Sequence, residues 1–255
     1  LYKMKFQIKD VKKAIEFIEL IKFIKTLSNH ITCMCSPEQM YIQIMDSSHV
    51  CLVDIIIPKS WFHSYDTENF TFSMSANILS KICSMYTLDS VIEVYISDDD
   101  NDKIHFHMLH EKQNKLFAIP LMDIERDILA TKDTDTNLDF TIKTKLLEKY
   151  VGELSLFGEE VTIECRDDKI FFGAINDEGK FNIEIKNENL ENFNAIDDLV
   201  FKAAYSIKYL QYISKLANIY PLIHLYLDDT NPLMITFDSA EIKIKFFVAP
   251  KCSDE

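Results

Sequence analysis

The sequence is poor in glycine and arginine. It has four glycines, six prolines and one tryptophan in 255 residues, and only two of its 27 basic residues are arginines. The small number of glycines and prolines excludes a long disordered tail. A composition of 47% hydrophobic and 27% charged residues is typical of a chain that packs throughout. The length suffices for one large or two ordinary domains, each with its own core.

Long apolar runs are missing as well. No run approaches the roughly 18 residues of a membrane span, and the N-terminal stretch LYKMKFQIKD lacks the apolar core of a signal peptide. The sequence therefore predicts a soluble protein with no membrane partner. Its net charge of −14 argues against affinity for nucleic acid over the whole surface, because a polyanion is repelled by a surface of the same sign. Any contact with DNA has to be local.

Motifs of catalysis and cofactor binding are absent too. The sequence contains no Gly-x-Gly-x-x-Gly fingerprint, no phosphate-cradling loop with Lys-Ser or Lys-Thr, and no Gly-x-Ser-x-Gly elbow. Its six cysteines form no Cys-x-x-Cys pair, so we interpret them as reduced apolar residues of an intracellular protein in preference to a disulfide or metal framework. Enzymes are thus the class of protein that the sequence favours least.

A strand-then-helix pattern occurs twice along the chain. KFQIKD (5–10) alternates apolar and polar residues as a strand does, and Asp10 is a suitable N-cap for the helical run that follows. DFTIKT (139–144) alternates in the same way, and Thr144 is predicted to cap a second helical run. Two further helices each follow a strand end. The predicted helices are 10–26, 76–86, 144–156 and 205–218.

Two homologous halves follow from this repeat. Short alternating runs separated by polar turns lie between the helices, which is typical of antiparallel strands. Each half is therefore predicted to be a mostly antiparallel sheet with two helices, an α+β fold. A charged, threonine-rich stretch of the length of a functional connector joins the halves. We predict an N-terminal domain over 1–119, a connecting loop over 120–136 and a C-terminal domain over 137–255.

Two of the predicted helices carry polar faces without an acidic residue. These faces comprise Asn77, Ser80, Lys81 and Ser84 on one helix and Lys208, Gln211, Lys215 and Asn218 on the other. The predicted apolar faces opposite them are Ile78, Leu79, Ile82 and Met85 on the first helix and Tyr209, Leu210, Ile213, Leu216 and Ala217 on the second. The four helices together hold nine lysines and five acidic residues, a net charge of +4, whereas the rest of the chain carries −18. Either these are ordinary solvated faces, or they form a weakly positive surface that contacts phosphates without reading bases.

The stretch MDSSHVCLVDI (45–55) resembles a catalytic cluster at first sight. Its Asp-Ser-Ser-His run is too tight for a triad, whose members come from separate elements so that their side chains converge. We interpret it as a tight strand connection in which Asp46, Ser47 and Ser48 hydrogen-bond the backbone. His49 then becomes a binding contact.

Two weaker candidates concern metal ions. His105 and His107 lie on one face of a predicted strand at a spacing that could ligate zinc, but no cysteine or acidic partner is identifiable in the sequence, so exposed strand histidines are the favoured interpretation. DDDND (98–102) has the composition of a calcium loop without its central glycine and distal glutamate, so a hairpin turn is predicted there. We predict no metal and no cofactor.

Three stretches carry a resemblance to a known family. MDSSHVCLVDI resembles the signature of the eukaryotic DNA sliding clamps, the proliferating cell nuclear antigen family. FFVAPKCSDE (246–255) is similar to the C-terminus of that family, and PLMDIERDIL (120–129) to the start of its interdomain connecting loop. The resemblance implies a two-domain clamp fold, with three copies closing head to tail into a ring around duplex DNA and the helices lining the hole.

The resemblance also implies which residues meet DNA and neighbouring subunits. The strands that pair between subunits correspond to KQNKLFAI (112–119) and GKFNIEIK (179–186), which read without the family are unprotected edge strands. A pore arginine of the family corresponds to Gly152, which implies that this ring holds DNA more loosely. The implied DNA-binding residues are Lys12, Lys13, Lys81, Lys145, Lys149, Lys208 and Lys215.

A pocket for short peptides from partner proteins is implied in the same way. In the family it receives a helical turn of apolar and aromatic anchors. The corresponding residues here are Met45, His49, Leu52, Leu129, Pro232, Phe247, Ala249 and Pro250. Thr131 and Lys132 replace an apolar pair of the family, which makes one wall more polar. A lysine that is ubiquitinated in many relatives corresponds to Asp167, so regulation by that route is not expected.

The leading hypothesis is a homotrimeric sliding clamp that gives a DNA polymerase processivity. Its implied partners are duplex DNA, the polymerase, a clamp loader, and other replication and repair proteins with a clamp-binding peptide. Its implied location is the nucleus, or a cytoplasmic replication site if the source is a large DNA virus. The alternatives are a subunit of a heteromeric checkpoint clamp, an acidic interaction scaffold that never encircles DNA, and a histidine-dependent metalloenzyme.

Overall fold

The chain divides into two compact units. The computed structural model describes residues 2–124, 128–131, 136–239 and 241–251. Unit 1 comprises Leu1–Ser47, Val53–Leu129 and Ala240–Ile244, and unit 2 comprises Ser48–Leu52, Ala130–Ser239 and Lys245–Glu255.

Most of the first half of the chain forms two antiparallel sheets and two helices. The helices are α1 (Val11–Leu27) and α2 (Ala76–Cys83), with a short 3-10 helix at Lys59–Trp61. The strands are β1 (Tyr2–Ile8), β2 (His30–Cys35), β3 (Gln39–Met45), β4 (Cys51–Pro58), β5 (Ser64–Thr67), β6 (Phe70–Ser75), β7 (Val91–Ser97), β8 (Lys103–His110) and β9 (Gln113–Pro120). Their order is β5-β1-β7-β8-β9 in one sheet and β4-β3-β2-β6 in the other.

The same pattern recurs in the second half. The helices are α3 (Thr144–Leu154) and α4 (Ile207–Ser214), with 3-10 helices at Asn187–Asn189 and Lys215–Asn218. The strands are β10 (Leu138–Lys143), β11 (Glu160–Arg166), β12 (Lys169–Asn176), β13 (Gly179–Ile185), β14 (Leu190–Ala195), β15 (Phe201–Ser206), β16 (Leu222–Leu227), β17 (Leu233–Phe237) and β18 (Lys243–Val248). Their order is β14-β10-β16-β17-β18 and β13-β12-β11-β15.

The two strand orders correspond one to one. β10 takes the place of β1 and is flanked by β14 and β16, as β1 is flanked by β5 and β7. Within each unit the two helices pack on each other, α1 on α2 and α3 on α4. The predicted α+β fold of two homologous halves, each a mostly antiparallel sheet with two helices, is thereby confirmed.

Alternation of apolar residues explains how each core forms. In β1 the side chains of Met4, Phe6 and Ile8 are buried, while the residues between them are more exposed. In unit 2, Phe140 of β10 is buried in the same way and its ring lies 6.3 Å from the ring of Phe172. The pattern that predicted each strand is therefore the pattern that buries one of its faces.

The two predicted helix caps have opposite outcomes. Asp10 is the N-cap of α1 and its carboxylate accepts the backbone N–H of Lys13 at 3.0 Å, as predicted. The prediction for Thr144 is wrong. Lys143 occupies the N-cap position of α3 and Thr144 is the first helical residue, because β10 stays paired as far as Lys143, opposite Leu222, before the chain turns.

Six strands lie at the ends of sheets among the described residues, namely β5, β6, β9, β13, β14 and β15. β9 is bonded to β8 alone and β13 to β12 alone among the residues that the structure describes. Both were predicted as unprotected edge strands. Among the residues that the structure describes, no helix combines the length and the apolar character that crossing a bilayer requires.

Candidate functional site

The exposed face of α4 and of the 3-10 helix that continues it carries two lysines beside a tyrosine. The predicted apolar face is buried at each of its positions, which are Tyr209, Leu210, Ile213, Leu216 and Ala217. Lys208 and Lys215 are exposed on the other side, and their ammonium groups lie 5.8 Å and 5.5 Å from the ring centre of Tyr212. The ammonium group of Lys208 also lies 5.1 Å from the ring centre of Tyr209. These rings attract the cations through their π faces and leave the positive charges uncompensated.

The predicted faces of α2 are partly wrong. Lys81 is exposed as expected, but Ser80 is buried, whereas Ile78 and Met85 are 43% exposed. The helix ends at Cys83, so Met85 lies beyond its last turn and does not belong to the buried stripe. An exposed apolar strip therefore accompanies the lysine of this helix.

Of the predicted DNA-contact lysines on α1 and α3, one on each helix has an acidic neighbour. Lys13 is bonded at 2.9 Å both to the carboxylate of Glu241 and to the backbone carbonyl of Trp61. Lys149 lies 3.8 Å from Glu153, one helical turn away. Lys12 and Lys145 are exposed, with no carboxylate in salt-bridge distance among the described residues.

The Asp-Ser-Ser-His stretch forms the tight connection between β3 and β4, as predicted. Asp46 is buried, while Ser47, Ser48 and His49 are exposed. His49 has a φ of 57°, which is the left-handed conformation of a tight turn. The imidazole is thus displayed at the tip of a turn.

Within unit 2, the structure brings several of the predicted peptide-binding residues together. The backbone N–H of Ala249 donates to the carbonyl of Val50 at 2.8 Å, which places the end of β18 beside His49. Leu233 pairs with Val248, so the preceding Pro232 is opposite Ala249. Leu52 is buried, Phe247 and Ala249 are half-buried, and Pro232 and Pro250 are exposed.

Within unit 1, Gln43 binds the backbone of Leu129 and lies on the same strand face as Met45. Gln43 and Met45 alternate along β3 and so share one face of it. The Gln43 side chain accepts the backbone N–H of Leu129 at 2.8 Å and donates to its carbonyl at 2.9 Å. Lys132, the second of the two residues that replace an apolar pair of the family, lies outside the described residues. Gln43 was not among the residues predicted from the sequence.

A buried polar network lies behind Gln43. Its amide nitrogen lies 2.9 Å from a carboxylate oxygen of Asp54 and 2.9 Å from the hydroxyl oxygen of Tyr41, which donates to the same carboxylate oxygen at 2.7 Å. The nitrogen carries two hydrogens, so these two acceptors and the carbonyl of Leu129 share them. Burial and then the hydrogen bond to Asp54 raise the pKa of Tyr41 above its ordinary value, so the phenol keeps its proton at neutral pH.

The remaining titratable candidates have local partners. Nε2 of His105 lies 3.0 Å from Asp100, in the predicted hairpin turn between β7 and β8, and burial lowers the pKa of His107. The five described cysteines are free and buried. Burial raises the pKa of Cys35 to about 11, so its thiol remains protonated at neutral pH.

Comparison with known proteins decides the family. The model of the proliferating cell nuclear antigen N-terminal domain matches residues 6–130, and the model of the C-terminal domain matches residues 132–252. The chain belongs to the proliferating cell nuclear antigen family. The resemblance drawn from three short stretches is thereby confirmed, and the chain is a sliding clamp of DNA replication, not an enzyme.

Relatives of this family match over nearly their full length. The proliferating cell nuclear antigen of Dictyostelium discoideum is 24% identical over 243 residues, which are 91% of this chain and 94% of that protein. The crystal structure of the proliferating cellular nuclear antigen from Entamoeba histolytica has a TM-score of 0.88, with 20% identity over 99% of this chain and 100% of the other. The clamp fold is thus kept although four residues in five differ from those of the solved structure.

Proposed function

We propose that this chain forms a homotrimeric ring that encircles duplex DNA and gives a DNA polymerase its processivity. The observation that carries the proposal is that β9 and β13, which correspond to the strands that pair between subunits in the family, both lie at the end of a sheet with one edge unpaired. An edge strand presents unpaired backbone groups to any strand that approaches it. Pairing β9 of one copy with β13 of the next is a head-to-tail contact, which closes into a ring if the rotation per copy fits.

Exposed apolar side chains flank both edges and support this pairing. On β9, Leu116 is 63% exposed, and the neighbouring Lys115 donates to Thr87 at 2.9 Å, which brings the exposed Met85 near this edge. On β13, Phe181 is half-buried, and its ring lies 5.0 Å from the ring of Phe157, which is 36% exposed. Burying such surface between copies stabilises association by about 25 cal/mol per Å².

Light scattering on the purified chain tests the ring. We expect a mass of about three times 29.8 kDa. Leu116→Asp combined with Phe181→Asp places carboxylates at both edges and should give monomers. Val200→Asp is a matched control, because this side chain is 78% exposed and lies outside both edges. A monomeric unmodified chain at micromolar concentration would refute the homotrimer and favour a heteromeric checkpoint clamp or a scaffold.

Exposed lysines supply the contact with DNA in this proposal. They are Lys12, Lys81, Lys145, Lys149, Lys208 and Lys215, with a smaller part for Lys13. Lysine on a helix face binds phosphate oxygens without reading bases, which suits a ring that has to slide. Each phosphate contact should add about 0.9 to the slope of log affinity against log salt concentration.

We further propose that the polymerase, the clamp loader and other replication or repair proteins dock through a short peptide. Met45 and Leu129 in unit 1 and His49, Leu52, Pro232, Phe247, Ala249 and Pro250 in unit 2 would contact it. The site of action is the nucleus, or a cytoplasmic replication site if the source is a large DNA virus.

Fluorescence polarisation tests the peptide site. The probe is a labelled synthetic peptide with apolar and aromatic anchors in one helical turn. Leu129→Ala removes an apolar side chain that is 46% exposed in the free protein and should weaken binding by about tenfold. Ile128→Ala, at a neighbouring side chain that is 55% exposed, is the control. Equal effects of the two substitutions would contradict the assignment.

A further inference from the structure

Gln43 is a glutamine in the buried part of a strand. It is 8% exposed and lies between the buried residues Ile42 and Ile44 of β3. Burying an amide is costly unless each of its polar atoms is hydrogen-bonded. Here both atoms are bonded, and the partner on one side is the backbone of Leu129, 86 residues further along the chain.

Asp54 fixes which way the amide points. A carboxylate only accepts hydrogen bonds, so the amide nitrogen of Gln43 faces Asp54 at 2.9 Å and its oxygen is left for the N–H of Leu129. Tyr41 strengthens the arrangement by donating to the same carboxylate oxygen. Asp54 is 5% exposed, so little water competes for these bonds.

The bond pair to Leu129 has the form of a pairing between two strands. One N–H and one C=O of a single residue are both satisfied, as they are in a sheet. The connector residue is thereby held on the face of β3 that also carries Met45. Its side chain remains 46% exposed and available to a partner.

We infer that Gln43 is a positioning residue of the peptide-binding surface, which holds the Leu129 backbone in its binding position before a peptide arrives. This inference rests on the proposed docking function. Ordering a loop during binding lowers affinity, and a loop that is already ordered avoids that cost. Gln43 thus acts through Leu129, with Tyr41 and Asp54 holding its amide in the required orientation.

Hydrogen exchange at the Leu129 amide tests, without any peptide, whether Gln43 holds the Leu129 backbone. Gln43→Leu keeps the approximate shape and removes both bonds, so exchange should accelerate by about tenfold or more. Gln39→Leu is the matched control, since it makes the same change on the same strand and face and should leave exchange at Leu129 unaltered. Tyr41→Phe removes only the hydroxyl behind Gln43 and should give a smaller acceleration, which tests the network if Gln43→Leu does not fold.

Polarisation with the labelled peptide then tests positioning. We expect Gln43→Leu to weaken binding by about fivefold while Gln39→Leu leaves binding unchanged. If exchange at Leu129 is unchanged in a folded Gln43→Leu variant, Gln43 does not hold the Leu129 backbone. If Gln43→Leu does not fold, unchanged exchange in Tyr41→Phe leads to the same conclusion. Faster exchange with unchanged affinity would overturn positioning. If the unmodified chain fails to bind the peptide, the proposed docking function is wrong. Exchange at Leu129 then still shows whether Gln43 holds the Leu129 backbone.

Discussion

The four helices fall into two pairs, which differ in whether acidic residues lie near their lysines. α2 and α4 contain no acidic residue, and their lysines are exposed without a carboxylate in salt-bridge distance among the described residues. α1 and α3 contain glutamates, and each has a lysine with an acidic neighbour, Lys13 beside Glu241 and Lys149 beside Glu153.

This difference bears on how strongly each helix attracts a phosphate. A paired lysine presents a dipole to the solvent instead of a net charge, and its ion pair has to be loosened before it can bind elsewhere. Lys208 and Lys215 over Tyr212 are held by a ring that carries no charge, so their full charge acts on an approaching polyanion. We therefore expect α2 and α4 to supply most of the affinity for DNA.

Charge reversal in the acid-free pair should have the largest effect. Lys81→Glu combined with Lys215→Glu should abolish polymerase stimulation on a circular primed template, while light scattering still reports the trimer. Lys59→Glu combined with Lys202→Glu is the control, since it changes the net charge equally at exposed lysines outside the predicted DNA contacts. Survival of stimulation in the first variant would show that the helices are wrongly assigned.

Adding a lysine to α3 should move it toward the behaviour of α2 and α4. Gly152 is exposed, and a Cβ there meets nothing within 4 Å. Gly152→Lys should raise the free energy of unfolding by about 0.5–1 kcal/mol, because glycine weakens a helix interior, and should also raise the salt slope of DNA binding. Gly152→Ala separates the effects. If it slows dissociation from DNA as much as lysine does, the added charge is not the cause.

Neutralising one lysine from each pair of helices should affect DNA binding in one case and protein stability in the other. Lys208→Gln removes one positive charge from the phosphate contacts, so it should lower the salt slope of DNA binding by about 1 and leave the melting temperature unchanged. Lys13→Gln should lower the free energy of unfolding by less than about 1 kcal/mol, through loss of the Glu241 pair, and change the slope little. Equal changes in slope would break the distinction between the helix pairs.

The smallest effect concerns Tyr212. Tyr212→Leu keeps an apolar side chain and removes the ring that lies under Lys208 and Lys215, an interaction of about 0.5–1 kcal/mol at an exposed site. DNA affinity should fall by less than about fivefold. An unchanged affinity would mean that the lysines need no support from the ring.

Local patterns predicted the fold well because each strand buries one face. The alternation around Phe6 and Phe140 survives as burial in β1 and β10. β14 has no buried residue and β5 is only four residues long, so neither gives a long alternation of apolar residues in the sequence. Thr144 failed as a cap because strand pairing as far as Lys143 outweighed its local preference.

The proposed peptide site follows from the sequence only where the chain repeats a family signature. Leu129 and His49 were proposed from the resemblance, whereas Gln43 was not, since its hydrogen bonds are to a residue 86 positions away. A glutamine inside the apolar run MYIQIM was the signal available, because a buried amide requires partners for both of its polar atoms. Distances along the chain do not reveal those partners.

Retention on circular DNA, compared before and after the circle is cut, tests encirclement most directly. The chain is assembled by a clamp loader on nicked circular DNA and separated from free protein, and a single restriction cut then makes the DNA linear. A ring is held by topology, so we expect stable retention on the circle and rapid loss from the free ends after the cut. Equal retention before and after the cut would contradict a sliding clamp, because the protein would then be held by contacts with DNA and not by enclosing it.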